Sequence, residues 1–497
     1  LRSAEKLSLS AIAKDSTAQK IVSAVTAIGF VMQPVAALAS TITRADGTAV
    51  TFNNNGVADI FASQVVNNNV AINKFAEFKL DANNIANMYF GESKESNGAG
   101  NLVNFVNSRI DINGTVNAIQ NKKIGGNLFF FSSDGMAVGK SGVINAGALY
   151  VATPTKTKFD EYKQFDTQDQ FNTIIKEEGF AKIPINASGT ISVLGKVNAV
   201  NAVNLRAAKI GVGKNVSNNN IGDVAAGATA TDASIRTGVV DFKDIVNVGK
   251  VNAGLTGKLT AKQDGSGDIV LAAYNNYDHN YSMLDDFSEI AGAKVEAELT
   301  VANGAVVNAA GKAKLSAQAL NNVEVKTSKQ YDKNYDPSTN YDPSTATNSH
   351  LYGQIVTTNA TVNVDGKVEA QQVDITADAV NRYVSAESSV LNMHNITSNI
   401  VGALTGNVDA SYAVLKSKAE VNVGQSAEIN AKGSDTKIVD SDGKEVIQPA
   451  LNIKANSSVE AGAGASTALL KAMNVVGTNI IPAAAVTYSK THNEAAV

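Results

Sequence analysis

A short pattern that recurs along the whole chain is the feature that most constrains how this protein can fold. The pattern reads apolar-x-apolar-x-Gly-x-Val-x-Ala. Copies of nine residues, of eight residues and with a turn two residues longer occur at 110–118, 191–199, 362–370, 246–253, 136–146, 299–309 and 421–431. Alternation with a period of two indicates strands with one buried face, and the glycine between them permits a corner. Each copy therefore predicts two short strands joined at a bend.

Such a unit has no pairing partner in its own stretch of chain, so it must stack on a neighbouring copy. Further strands follow some copies, as at 203–207 and 373–377, which predicts coils of roughly 20 residues and about 20 coils in all. We predict an all-β, right-handed parallel β-helix (β-solenoid) with an N-terminal cap and extra-helical loops. Ala and Val would fill a narrow triangular interior, and Asn would form ladders at the corners. A β-sandwich also alternates with period two, but its strands do not reuse one corner sequence.

The repeat lapses in four places, which we interpret as loops or appendages. Residues 156–180 are polar with four interspersed aromatic residues and predict an excursion with a helical turn that packs on the rod. Residues 274–293 are a candidate seam between two regions. The direct duplication at 334–339 and 340–345 predicts an exposed loop because its Asp-Pro pairs favour turns, and 433–449 predicts a polar loop.

The composition limits the kinds of partner. A net charge of -4 supplies no field for nucleic acid, which we exclude as a ligand. The chain has no cysteine among 497 residues. A disulfide formed in the periplasm would close a loop that could not thread a narrow outer-membrane pore, so this composition favours export through such a pore.

The first 39 residues predict an extended signal peptide. Basic residues precede an apolar run at 21–32, and Ala37 and Ala39 give the small residues required for cleavage before Ser40. The alternative is a buried or membrane helix, but the run is short for a bilayer and is interrupted by Gly29 and Pro34.

A search for catalytic and metal-binding motifs gives no site, so we predict no catalytic residue, cofactor or metal. The segment Gly135 to Ser141 resembles a phosphate-binding loop, but it is one residue short and continues into a strand pattern. The four histidines are far apart, and Asp285-Asp286 and 440–442 lack the series of an EF-type calcium loop. A carbohydrate-active β-helix enzyme stays an alternative, although no tryptophan is present as a sugar platform.

Three stretches between Ala71 and Thr153 resemble the secretion domain of two-partner secretion exoproteins, the filamentous haemagglutinin class, and most resemble leukotoxin-like filamentous adhesins. They comprise the strand 71–80, the asparagine-rich strand and coil at 101–114, and the block 127–153, in which Ser132-Ser-Asp-Gly135 replaces the family's usual Asn-Pro-Asn-Gly. The residues that match the family's motifs are Asn73, Phe75, Phe78, Asn101, Asn104, Gly114, Asp134, Gly135, Gly139, Asn145 and Gly147.

The resemblance implies a secretion domain at 40–290, followed by a β-helix repeat region at 291–497. It implies export through a cognate outer-membrane β-barrel transporter with periplasmic domains, to the surface or medium of a diderm bacterium. The expected function is that of a non-catalytic, monomeric adhesin that binds a receptor or glycan on host cells or other bacteria. The secretion part of a cytolysin or contact-dependent toxin is the other alternative.

Overall fold

The computed structural model describes residues 40–94, 98–222, 224–241, 258–260, 267–277, 279, 289–326, 350–386, 409–439, 443–462 and 484–496. Residues from Thr41 onward belong to one structural unit.

The first part of the chain is built from short strands, most of three to six residues. They are Thr41–Arg44 (β1), Val57–Ile60 (β2), Gln64–Val66 (β3), Val70–Leu80 (β4), Ile85–Tyr89 (β5), Asn101–Val106 (β6), Ile110–Ile112 (β7), Thr115–Gln120 (β8), Lys123–Ile124 (β9), Asn127–Phe131 (β10), Gly135–Val138 (β11), Val143–Ala152 (β12), Thr190–Val193 (β13), Lys196–Ala207 (β14), Lys209–Val212 (β15), Ser234–Thr237 (β16), Val239–Asp241 (β17) and Lys258–Thr260 (β18). The helices are Lys156–Tyr162 (α1), Gln168–Ile175 (α2) and Glu177–Phe180 (α3).

The second part contains strands of up to 15 residues. They are Asp268–Tyr277 (β19), Glu289–Val301 (β20), Val306–Asn308 (β21), Lys312–Lys326 (β22), His350–Val364 (β23), Lys367–Ala370 (β24), Gln372–Ala386 (β25), Asp409–Val423 (β26), Glu428–Ala431 (β27), Thr436–Val439 (β28), Glu445–Gln448 (β29), Leu451–Gly462 (β30) and Ala484–Ala496 (β31).

These strands wind into a parallel β-helix with three faces. Face 1 stacks the end of β4 with β7, β11, β13, β15, β20, β23, β26 and β31. Face 2 stacks β2, β5, β8, β12, β14, β16, β21, β24 and β27. Face 3 stacks the start of β4 with β6, β10, the ends of β12 and β14, β19, β22, β25 and β30. The predicted β-helix and its triangular section are confirmed.

The predicted repeat is the corner between face 1 and face 2. Six of the seven copies lie there, one above another, and the copy at 246–253 falls outside the described residues. The prediction of about 20 coils was wrong. The strands of face 2 begin at residues 57, 85, 115, 143, 196, 234, 306, 367 and 428. The spacing therefore about doubles along the chain, because the later coils contain longer strands and longer connections.

An antiparallel cap covers the N-terminal end. Strand β1 pairs with the second part of β4, and β3 pairs with its first part, both antiparallel. Because β4 is the first rung of faces 1 and 3, these pairings satisfy backbone groups that a bare end would leave open. The predicted cap is confirmed.

The parallel pairing crosses residue 290 without interruption, since β15 and β16 pair with β20 and β21. The functional division at that residue stays a prediction. The interior contains the predicted Ala and Val, together with many Leu and Ile and a group of buried phenylalanines near the cap. Phe75 and Phe78 are fully buried there, and their ring centroids lie 5.4 Å apart, edge to face.

The wider coils carry a polar layer inside the β-helix. The amide Nδ2 of Asn321 donates to Gln354 Oε1 at 2.9 Å and to Asn381 Oδ1 at 2.8 Å, and all three side chains are fully buried. Asn381 Nδ2 in turn donates to two backbone carbonyls of face 1. These bonds join faces 3 and 1 across the interior and offset part of the cost of burying the amides, since Asn321 Oδ1 and Gln354 Nε2 have no hydrogen-bond partner among the described residues.

Of the four lapses in the repeat, 156–180 is described in full and 433–449 is described except for 440–442. The predicted excursion at 156–180 is the helical insertion α1 to α3. The segment 433–449, predicted as a polar loop, contains the antiparallel hairpin β28–β29. The strands of this hairpin carry the exposed apolar residues Ile438, Val439 and Ile447. Apolar and charged residues alternate in them, which favours strands, whereas the overall polarity of the segment had predicted a loop. The duplicated segment at 334–345 lies outside the described residues, as does most of 278–288 within the candidate seam.

Candidate interaction surface

An asparagine ladder runs along face 2. Asn87, Asn117, Asn145 and Asn198 occupy equivalent positions on successive coils, and each donates its Nδ2 hydrogen to the residue one coil earlier at 3.0 to 3.1 Å. The carboxylate of Asp59 is the first acceptor. Asn117 and Asn145 are fully buried. An asparagine ladder is therefore present as predicted, but it lies within the strands of face 2 instead of at the corners, and Asn145 belongs to it.

Asn73, Asn101 and Asn104 form two further ladders on face 3. Asn73 donates to Asn104 Oδ1 at 3.1 Å, and Asn104 donates to the backbone oxygen of Phe129 at 3.0 Å. Asn101 donates to Asn69 and accepts from Asn127 Nδ2 at 3.0 Å. The asparagines of the family-like motifs therefore join coils to one another.

The glycines of these motifs occupy places where a β-carbon does not fit. A Cβ on Gly114 would lie 2.3 Å from Asn84 O, and one on Gly147 would lie 2.5 Å from Gly126 O. Gly139 lies against the Asn113 side chain, and Gly135 has a φ of +101°. These four positions serve close packing between coils.

Asp134 is the one exposed side chain among the motif residues of the 132–135 turn. Its backbone nitrogen donates to Ser132 Oγ at 3.3 Å. The segment Gly135 to Ser141 consists of β11 and the turn that follows it, with no helix, and Ser141 Oγ donates to Asn113 O at 2.8 Å. The phosphate-loop geometry is therefore not formed at these residues.

Several sequence-based candidates lie outside the described residues. They are Ala37, Ala39, Asp285, Asp286, His394 and 440–442, while Ser40 is the first described residue. Within the described ranges, no three acidic or histidine side chains come close enough to hold a metal ion. In the same ranges, no helix has the length and apolar character to cross a bilayer.

The helical insertion covers aromatic residues on the outer surface of face 3. Phe105, Phe129 and Phe131 point outward from β6 and β10 and are at most 1% exposed, because Phe159, Phe171 and Phe180 of the helices pack over them. Phe180 contacts the rings of Phe129, Phe131 and Tyr150 with centroids 5.4 to 6.3 Å apart. A capping box between Thr167 and Gln170 fixes the start of α2. The β-helix thus has a second hydrophobic core on its outside.

A buried arginine lies where the insertion ends. Arg206 points outward from β14 and is only 8% exposed. Its Nε donates to Ile183 O of the insertion at 3.2 Å, and its Cζ lies 4.3 Å from the ring centroid of Tyr274 on the next strand, β19. Burial lowers the pKa of Arg206 to about 10, and the neighbouring Tyr274 opposes this shift.

Beyond Arg206 and Tyr274, none of the described helices packs on face 3, and the outward side chains on the row of Arg206 are small or polar. Register places Ala272 and Ser316 on the two rungs after Arg206, and Tyr274 is level with Gln318. The edge of the insertion therefore forms a step on the outer surface of face 3, and Arg206 lies where this edge meets the sheet. Ala272 and Ser316, on the next two strands, form the surface beside the step, which we call its floor. Sequence reasoning missed this constellation because 68 positions separate Arg206 from Tyr274.

Comparison of the chain with protein-family models, with curated proteins and with solved structures gave no match.

Proposed function

We propose that this chain is a secreted or cell-surface adhesin of a diderm bacterium, exported by two-partner secretion and binding its receptor without catalysis. The parallel β-helix is the observation that carries the proposal. Each coil of such a fold needs only its neighbours, so the chain can fold progressively as it emerges from a pore. The resemblance of 71–153 to secretion domains supports the same route.

The outer surface supports a binding role. Face 3 beyond the insertion is a sheet of parallel strands whose outward side chains are mostly Ser, Thr, Asn, Gln and charged residues, with Val270, Leu320 and Val380 among them. Flat, polar and preorganised surfaces lose little side-chain entropy when they bind. The cognate transporter would bind the N-terminal region through its periplasmic domains.

Export through a narrow pore is tested by a disulfide in the hairpin β28–β29. Lys437 and Ile447 are directly paired and exposed, so the double variant Lys437→Cys with Ile447→Cys closes a loop in an oxidising periplasm. Co-expressed with the cognate barrel, the double variant is expected to accumulate in the periplasm and to be released by a reductant. The single variants Lys437→Cys and Ile447→Cys serve as matched controls and should be exported normally. Export of the cross-linked chain at the rate of the unaltered chain would refute threading.

Adhesion is tested with purified chain 40–497 on host cells and on other bacteria. Saturable binding, with no release of uronate or shortening of glycans in a parallel assay, is the expected result. Clear turnover of a polysaccharide would replace the adhesin proposal with a carbohydrate-active enzyme.

A further inference from the structure

We propose that Arg206 and Tyr274 form a binding site for the carboxylate of one acidic sugar residue, a sialic or a uronic acid. This inference rests on the proposed adhesin function and deepens it, because it names the class of receptor. The site is the step between the helical insertion and the open part of face 3.

The charge of Arg206 has no anionic partner in the described part of the chain. Its one hydrogen bond there is from Nε to a backbone carbonyl, and the ring of Tyr274 is the other group that faces it. Desolvating a guanidinium without an anion costs free energy. The group is planar and donates in a fork that matches a carboxylate, so a ligand carboxylate would offset this cost.

The geometry directs the guanidinium toward the step. Arg206 belongs to β14, yet its Cζ lies over a ring on β19, so the side chain extends along the axis of the β-helix toward the open face. Ala272 and Ser316 are the next two residues on this row. At about 4.8 Å per strand they give a floor about 10 Å long, which suits one or two sugar rings.

The surroundings favour a single acidic sugar over an acidic peptide or a long polyanion. The next strand, β25, places Thr376 on the row and carries Asp374 and Asp378 on either side of it. A chain of repeated negative charges lying along the row would meet these two carboxylates. Ser316 and Gln318 offer hydrogen bonds to sugar hydroxyls, and the methyl group of Ala272 offers an apolar contact to the sugar ring.

Sugar binding is measured by titrating the purified chain 40–497 with 3′-sialyllactose, with a glucuronic acid disaccharide and with lactose. At least one acidic probe is expected to bind ten-fold or more tightly than lactose, and the stronger of the two identifies the source of the carboxylate. Equal binding of all three probes, or binding of none, would overturn the proposal.

Variants place the binding at this step. Arg206→Gln is expected to weaken binding of the acidic probe at least ten-fold, and Arg206→Lys is expected to weaken it by a smaller factor. Since Arg206→Gln also removes the contact with the insertion, Ser316→Phe provides a second variant that fills the floor and leaves Arg206 in place. Arg236→Gln, at an exposed arginine of face 2, is the matched control and should bind normally. Unchanged binding by both Arg206→Gln and Ser316→Phe would refute the site.

Enzymatic treatment of host cells separates this inference from the adhesin proposal. If cells bind the chain equally before and after removal of terminal sialic and uronic acids, and the probes do not bind, the sugar site fails and the adhesin stands. If untreated cells and bacteria do not bind the chain either, the adhesin proposal fails as well.

Discussion

Single residues decide where the β-helix turns. Gly114, Gly195 and Gly366 lie in the shorter form of the corner between faces 1 and 2, and each contacts the longer turn of the preceding coil. A Cβ at any of these positions would come within 2.2 to 2.5 Å of a carbonyl oxygen. The glycine of the repeat is therefore required by contact between coils. The same contact explains why one corner sequence recurs along the chain.

Replacement of Gly135 by alanine tests this close packing. A Cβ at Gly135 would lie 1.9 Å from Thr190 O in the next coil, at a φ of +101°. We expect a loss of about 3 kcal/mol in the free energy of unfolding, from backbone strain and overpacking. Gly47→Ala is the matched control, because Gly47 also has positive φ but no atom within 4 Å of its Cβ position. Gly47→Ala should lower the free energy of unfolding by about 1 kcal/mol. Both variants are measured by urea unfolding, monitored by circular dichroism.

Asp59 gives the first ladder a pH dependence. Burial would raise the pKa of Asp59, but hydrogen bonds from Lys94 and Asn87 together with the Lys94 charge bring it below 3.8. The stabilisation is therefore present above pH 3.8 and is lost as the pH falls through the lowered value. Asp59→Asn should lower stability at pH 6 by less than about 1 kcal/mol, since the pair is partly exposed.

Acid unfolding of both chains checks this expectation. The difference between Asp59→Asn and the unaltered chain should shrink as the pH falls below 3.8. A difference that stays constant from pH 6 to pH 2 would contradict the role of the Asp59 carboxylate.

Among the elements, the helical insertion has the most distinct role. Its aromatic residues cover outward phenylalanines of β6 and β10 that would otherwise make an exposed apolar patch. The insertion connects β12 of face 3 to β13 of face 1. The strand pairing within each of these faces does not pass through the insertion. The insertion can therefore loosen locally without breaking the parallel ladders.

Phe180→Ala should loosen the insertion selectively. Loss of a buried ring that contacts three others costs about 3 to 5 kcal/mol of local stability. Hydrogen exchange and proteolysis should accelerate in 156–180 while exchange in face 2 changes little. Glu178→Ala, an exposed position of the same helix, should have no such effect. Equal acceleration in both regions would show that the insertion and the β-helix unfold together.

Local pattern made some elements predictable from the sequence. Apolar alternation with a period of two and a glycine at the corner both occur within nine residues. The strands on either side of Gly114 or Gly195 could therefore be predicted directly from the sequence. The lengths of β22 and β25 could not be predicted in this way, because outward Ser, Gln and Thr residues give no local signal that a strand ends. Arg206 and Tyr274 became neighbours only through the stacking order, which places β19 directly after β14 on face 3.

The whole molecule is a stack in which stability depends on neighbouring coils. Strands inside the stack pair on both sides, whereas β27, β30 and β31 each pair on one side only within the described residues. Inward residues of this last described coil, including Ile453, Ala455 and Val459, are only partly buried. These residues should therefore contribute less to stability than their register partners in the preceding coil.

Ile375 and Ile453 allow a matched test. They are register partners on face 3, and Ile375 is fully buried while Ile453 is partly buried. Ile375→Ala should cost about 2 to 5 kcal/mol, and Ile453→Ala less than half as much. Urea unfolding of the two variants measures the difference. Equal costs would mean that the stack unfolds as one block whose end is as well packed as its middle.

The amide ladder from Asn198 to Asp59 also has an electrical polarity. In each of the four asparagines, the Nδ2–H that donates along the ladder points toward the N-terminal cap, so four side-chain dipoles are aligned in one row. Aligned amides reinforce one another, and a helix stabilises an anion at its N-terminus for the same reason. Asp59 lies at the positive end of this row. The side chains of face 2 thus reproduce, across coils, the dipole that a helix builds from its backbone.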